Sequence, residues 1–278
     1  MKNPGTMCLG FFFYGVQSIA YTVYMTWASK RKLIIIGVIS VVVALCAGAI
    51  WYFFFHTPPS CIDGKQNQQE EGIDCGGSCT YLCTASQAAP SVRFVRAFSP
   101  LPGRTDVIAY VDNPNTNAEA YQAPYTIELY NDQNVLVAKT QGVVDLPALS
   151  TAPVFVPQLF SGSEVVSHAF LTFASSGIHW IKAAPLAKTL ETQNIVYSPG
   201  ETPRVTATVY NKTAEPRLRA YFVATLFGVD GKALASSATI VDVIPAQGTN
   251  SLVFTWPTPI TEAVARVDIM PVLLLPTP

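Results

Sequence analysis

The sequence predicts an all-β protein: two tandem immunoglobulin-like β-sandwiches behind an N-terminal transmembrane helix and a small disulfide-rich knot. Three observations predict it. An uncharged apolar stretch occupies residues 33–55, four cysteines crowd into residues 61–83, and a pattern of short alternating runs occurs twice after residue 91. The expected divisions are 1–32 as a cytoplasmic or second apolar segment, 33–55 as the transmembrane helix, 56–90 as the cysteine-rich knot and linker, 91–176 as the first sandwich and 177–278 as the second.

Leu33 to Phe55 reads LIIIGVISVVVALCAGAIWYFFF. About 20 apolar residues span the hydrocarbon core of a bilayer as a helix, because every backbone hydrogen bond then closes within the segment. Trp51 and Tyr52 suit an interfacial aromatic belt, and Lys30, Arg31 and Lys32 precede the span with no basic cluster after it. The positive-inside rule keeps the N-terminal flank in the cytoplasm and sends the remainder out. A cleaved signal peptide ends in small residues, whereas this stretch ends in WYFFF. Cys8 to Ala28 is long enough for a second span; alternatively the true start is Met25, leaving MTWASKRK as a short flank. Either arrangement places the C-terminal region outside the cytoplasm.

Cys61, Cys75, Cys79 and Cys83 follow the span directly. An even count in an oxidising compartment reads as two disulfides, with three possible pairings. Zinc is the competing reading, although structural zinc knuckles usually contain a Cys-x2-Cys pair and the spacing here is Cys-x3-Cys. Between the cysteines, Asp63, Asn67, Glu70 and Asp74 offer hard oxygen ligands on a tight loop, which makes calcium a candidate cofactor. The alternative is that these side chains cap turns by accepting backbone N–H bonds.

The string from Cys61 to Cys83 resembles a recurrent motif of bacterial surface and secreted proteins, C-x-D-G-x-x-N-x-x-E-x-G-x-D-C-G-G-x-C-x-x-C. Cys61, Asp63, Gly64, Asn67, Glu70, Gly72, Asp74, Cys75, Gly76, Gly77, Cys79 and Cys83 match it, with three residues instead of two between the last two cysteines. Tyr125 to Asp132 (YTIELYND) resembles the core strand of FxLYD-type bacterial surface domains. These resemblances imply bacterial envelope proteins with immunoglobulin-like or fibronectin-III-like sandwiches, and they bring no catalytic residues.

From Ser91 onward, runs such as Val107-Ile108-Ala109-Tyr110-Val111 alternate with turn-rich segments such as Asn113-Pro114-Asn115-Thr116-Asn117. Turn signals at this spacing point to a sandwich. Val107 to Asn113 lines up with Val205 to Asn211, Glu128 to Asn131 with Thr225 to Gly228, and Asp145 to Ala148 with Val243 to Ala246. The register is a constant offset of about 98 residues, the size of one immunoglobulin domain. The join is expected near Ser175 to Ala184, with Trp180 either at the seam or in the second core.

Composition excludes more than it assigns. A net charge of −1 gives no basic field for nucleic acid, and charged residues make up 13% of the 278, about half the usual share. His56, His168 and His179 are too scattered for a metalloenzyme, and no G-x-S-x-G, H-E-x-x-H or P-loop pattern occurs. His168 with Asp145 is one candidate pairing for a hydrolase and would need a cleft, and Asn211-Lys212-Thr213 matches a glycosylation sequon within a turn. The expectation is a non-enzymatic binding or structural protein at the cell membrane. Its partners would be membrane lipid and an envelope protein, an envelope polymer or a second copy. The competing reading is an assembly or sensing component, in which Gly37, Ser40, Ala44, Ala47 and Gly48 let a neighbouring helix approach. An envelope hydrolase comes third.

Overall fold

The computed structural model describes residues 27–55, 60–67, 69–174 and 177–275. The readings of Cys8 to Met25, of the start site and of His56 lie outside these residues. The chain divides into two compact units, residues 1–58 and 59–278, each taken by itself.

Among the described residues of the first unit, a helix, α1, runs from Trp27 to Phe55. It begins six residues before the apolar stretch, because Lys30, Arg31 and Lys32 are good helix formers and nothing there breaks the ladder. The Arg31 guanidinium lies 4.0 Å over the Trp27 ring. At about 1.5 Å per residue the helix exceeds the roughly 30 Å of a hydrocarbon core. Its leucines, isoleucines and valines point outward on every side and none is buried. A helix apolar all round has no water-facing side to offer. Among the described residues it is the one helix long and apolar enough to cross a membrane.

The second unit is all β. Its strands are β1 (Tyr81–Leu82), β2 (Ser91–Leu101), β3 (Arg104–Asn113), β4 (Ala118–Tyr130), β5 (Leu136–Leu146), β6 (Ser150–Ser161), β7 (His168–Phe173), β8 (Trp180–Lys182), β9 (Leu190–Ser198), β10 (Arg204–Asn211), β11 (Arg217–Gly228), β12 (Ala233–Ile244), β13 (Thr249–Thr255) and β14 (Val264–Val272). Every pairing is antiparallel. Sheet β2-β3-β6 faces sheet β5-β4-β7, and sheet β9-β10-β13 faces sheet β12-β11-β14. The strand order of the second set reproduces the first, so the repeat seen in sequence is a repeat of topology.

Each sandwich has its own core. Val107, Ala109 and Val111 meet Ile127, Leu129, Leu146 and Leu171 in the first. Val205, Ala207 and Val209 meet Phe222, Leu226, Leu252 and Phe254 in the second. A third cluster joins the two: Ile108 and Tyr110 on the opposite face of β3 press against Val223 and Phe227 of β11, with Ala233 beside them. The two inner sheets therefore stack on each other, and β3 and β11 are buried on both faces. That is why both strands read as apolar runs and not as alternations, VIAYV unbroken and FVATLF interrupted only by Thr225.

Two expected boundaries shift. Trp180 belongs neither to the seam nor to the second core. It is 1% exposed inside the first sandwich, on β8, which pairs with β4 at Ala118–Ala120. The reason is the length of β4. Its pairing with β7 begins only at Tyr125, and a bulge at Ala120/Ala123 bends the strand, so its first residues need another partner. The first sandwich thus extends through Lys182. The knot expected as a separate segment over 56–90 likewise joins the first sandwich, because β1, two residues after Cys79, pairs with β8. Asn115 fastens the linker by accepting the Ala88 N–H at 2.9 Å and donating to the Ala88 carbonyl at 2.8 Å.

Candidate functional site

The knot carries most of the candidate site residues. Its disulfides are Cys61–Cys79 and Cys75–Cys83, one of the three pairings open to the sequence. All four sulfurs are consumed, which leaves no thiolate for zinc. Overlapping loops this tight require glycine at one point: Gly77 has φ +57°, and a Cβ there would sit 1.9 Å from the Gln69 carbonyl oxygen.

The four expected calcium ligands lie together in the knot, joined to one another and to the backbone by hydrogen bonds, and the Asn67 Oδ1 is buried without a hydrogen-bond partner. Asp74 accepts the Asp63 N–H at 2.9 Å and the Gly64 N–H at 2.9 Å. Asp63 accepts the Lys65 N–H at 2.9 Å and the Asn67 side-chain amide at 2.8 Å. Glu70, buried, accepts the Asn67 N–H at 3.1 Å and the Asp74 N–H at 3.3 Å through Oε2. Desolvation pushes the Asp63 carboxyl up, but the hydrogen bonds involving Asn67, Lys65 and Ser60 together outweigh it and hold the group below its ordinary range. The carboxylates therefore serve as turn caps for a segment too small to form a ladder. Among the described residues the one grouping of close ligand atoms is Cys61, Glu70 and Cys79. Its sulfurs form a disulfide, and Glu70 Oε1 rests 3.2 Å from Cys79 Sγ, which has no proton to donate.

The hydrolase pairing is not assembled. His168 lies opposite Tyr130 at one end of β4, whereas Asp145 adjoins Leu146, opposite Ala120 at the other end. Asp145 instead accepts the Gln122 N–H at 2.7 Å and the Leu275 N–H at 2.8 Å. The segment after β14 is thereby held on the first sandwich, beside a cleft of about 300 Å³ walled by Val143, Phe155, Tyr221 and Leu274.

Sequence reasoning missed a pair of asparagines. Asn113 is buried; its amide donates to the carbonyls of Ala118, Leu146 and Pro147 at 2.8, 3.1 and 2.9 Å, and its oxygen accepts the Asn115 N–H at 3.0 Å. Asn211 holds the same place in the second sandwich, donating to Glu215 and Pro245 at 2.7 and 3.1 Å and accepting the Thr213 N–H at 3.0 Å. Even the flanking bonds repeat: Leu149 N–H reaches the Asn115 carbonyl, and Gln247 N–H the Thr213 carbonyl. The sequon at Asn211 is thus a buried corner clamp whose amide is already spent. The available signal was an Asn and a Pro recurring together in both repeats.

The seam is aromatic inside and charged at its margin. Phe94 lies 4.7 Å from Tyr110 and 5.8 Å from Phe227 between ring centres, and Arg266 sits 4.2 Å over the Phe227 ring. Arg93 pairs with Asp112 at 2.7 Å and Arg266 with Asp268 at 3.4 Å. Thr225 and Ser236 are buried and bonded to each other at 3.0 Å. The Tyr110 hydroxyl is buried without a hydrogen-bond partner. Burial pushes its pKa up to about 12. Thr258 adds a bond across the seam to the Pro100 carbonyl at 3.0 Å.

No protein-family model matches the chain, and no curated protein sequence does. Among solved structures, red sea bream transglutaminase is similar over 68% of this chain and 32% of that one, at 14% identity and a TM-score of 0.22. A likeness that weak carries no argument about fold or chemistry.

Proposed function

We propose that this protein is a membrane-anchored envelope component of a bacterium, whose two immunoglobulin-like sandwiches act outside the cytoplasm as a non-enzymatic binding or structural module. The observation that carries the reading is the join of α1, apolar on every side, to a segment closed by two disulfides. Disulfides persist where thiols are oxidised, which is the far side of a membrane from the cytoplasm. The basic residues before the apolar stretch favour the same direction. The bacterial assignment rests on the resemblance of the knot motif. The non-enzymatic assignment rests on carboxylates spent as caps and on the separation of His168 from Asp145.

The test is protease protection of the full-length protein in intact cells. Protease added outside should digest residues beyond the knot and leave a membrane-embedded fragment containing α1, resistant to alkaline extraction. Release by alkaline carbonate, or a mature chain lacking α1, would replace the anchor with a peripheral protein or a cleaved signal sequence.

A further inference from the structure

The knot turns two of its few apolar side chains outward. Ile62 is 87% exposed and Ile73 is 62% exposed, and together with Tyr81 they line one shallow groove that also includes His179. Scattered exposed apolar residues are ordinary, but these two sit on one face of a cross-linked segment. Neither can turn inward. Ile62 follows Cys61 of one disulfide, and Ile73 lies between Gly72 and Cys75, which bridge to each other beside the second.

The carboxylate of the same face is already occupied, and the two polar rings there lie against each other. Asp74 Oδ1 and Oδ2 accept backbone N–H bonds from Asp63 and Gly64, and Tyr81 and His179 stack at 5.6 Å between ring centres. An apolar pair flanked by a tyrosine is the composition that favours the water–lipid boundary, where an amphipathic ring keeps its hydroxyl wet. Chain length points the same way. Residues 56–60 alone separate the end of α1 from Cys61, and an extended chain advances about 3.3–3.6 Å per residue. The knot therefore begins within about 20 Å of the end of the helix, whatever path those residues take.

Resting on the anchor reading above, we infer that the Ile62–Ile73–Tyr81 face of the knot is a lipid-contacting surface. It seats in the headgroup and upper acyl region of the bilayer that α1 crosses. The anchor would then hold the sandwiches through two attachments, a spanning helix and a rigid apolar foot.

The test uses the full chain in phosphatidylcholine nanodiscs, with isoleucine methyl groups labelled for NMR and a spin-labelled lipid carrying its radical near the headgroup. The Ile62 and Ile73 signals should lose most of their intensity, while exposed Ile240 and Ile195 on the sandwiches keep theirs. Ile62 and Ile73 signals as strong as that of Ile240, with the isoleucines of α1 broadened, would overturn the lipid contact and leave the anchor standing; a protein partner for this face would give that result. Unbroadened α1 isoleucines would overturn both. The double variant Ile62→Asn, Ile73→Asn, which touches neither core nor disulfide, should sharpen the Ile108 and Ile244 core signals as the sandwiches gain freedom from the disc; unchanged widths count against the foot.

Discussion

The two sandwiches share one topology and differ in what covers their outer faces. Sheet β12-β11-β14 of the second buries Val223, Thr225 and Phe227 against the first, and strand pairing puts Thr126, Glu128 and Tyr130 at the matching positions of β4, where they stay half-buried. Likewise Ile108 and Tyr110 of β3 are buried in the seam, whereas their counterparts Thr206 and Thr208 on β10 remain half-buried. The seam joins unlike faces of the two repeats. Contacts of that kind propagate into rods or fibres if every copy retains both faces. Here the free copy of each face has exchanged apolar groups for hydroxyls and a Glu128–Lys139 ion pair at 2.8 Å. A duplicated fold becomes a closed pair when the outward faces at its two ends turn polar, as the end repeats of solenoids do.

The largest test of this contrast is Phe227→Ala against Tyr130→Ala. Emptying the seam should cost about 3–5 kcal/mol, and the half-buried counterpart less, both read from denaturant midpoints. Equal losses would mean that the seam does not hold the sandwiches together. Next come the clamps, which should behave alike because they are copies. Asn113→Ala and Asn211→Ala should each lower stability by about 1–3 kcal/mol, since each leaves buried backbone groups unpaired. A loss at one alone would break the equivalence.

Tyr110→Phe should have a smaller effect and the opposite sign. Removing a buried hydroxyl whose neighbour Thr225 is already bonded to Ser236, and which makes no well-formed hydrogen bond itself, should leave stability unchanged or raise it by about 1 kcal/mol. The Tyr110 pKa lies above the ordinary 10.0, so the native state favours the neutral ring. Its contribution is fully present below about pH 10 and is lost as pH rises through about 12, a fall of about 2–3 kcal/mol that the Phe variant should lack in alkaline titrations. The smallest effect is expected in the knot. Calcium should leave the melting temperature unchanged, whereas Asp74→Ala should lower stability by about 1 kcal/mol by freeing two backbone N–H groups. Acid should loosen the knot in the same way: the Asp63 carboxyl titrates below its ordinary 3.8, so its support holds above that pH and fails as pH falls further.

What could be read from sequence follows physical range. The long apolar helix, the repeat and the oxidised cysteines are local or periodic signals, and each stands where expected. The seam is not periodic. A run such as VIAYV records that both faces of a strand are buried, not which sheet covers the second face. Trp180 was misplaced because pairing to the start of β4 depends on where β7 stops, a long-range fact. The disulfide pairing depends likewise on how the loops cross. In the candidate site, residue types suited to calcium were legible, but their use as caps depends on the direction of single N–H bonds.

The Cys61–Cys79 bridge also bears on how far the chain can be drawn out. Residues 61–79 form a closed loop with a sequence separation of 18, which as free chain would lengthen by roughly 60 Å under tension. With the bridge intact that slack is withheld, and a pull along the chain travels through sulfur instead of through the loop. Residues 61–79 therefore stay closed up while oxidised, and only a reductant can release their length.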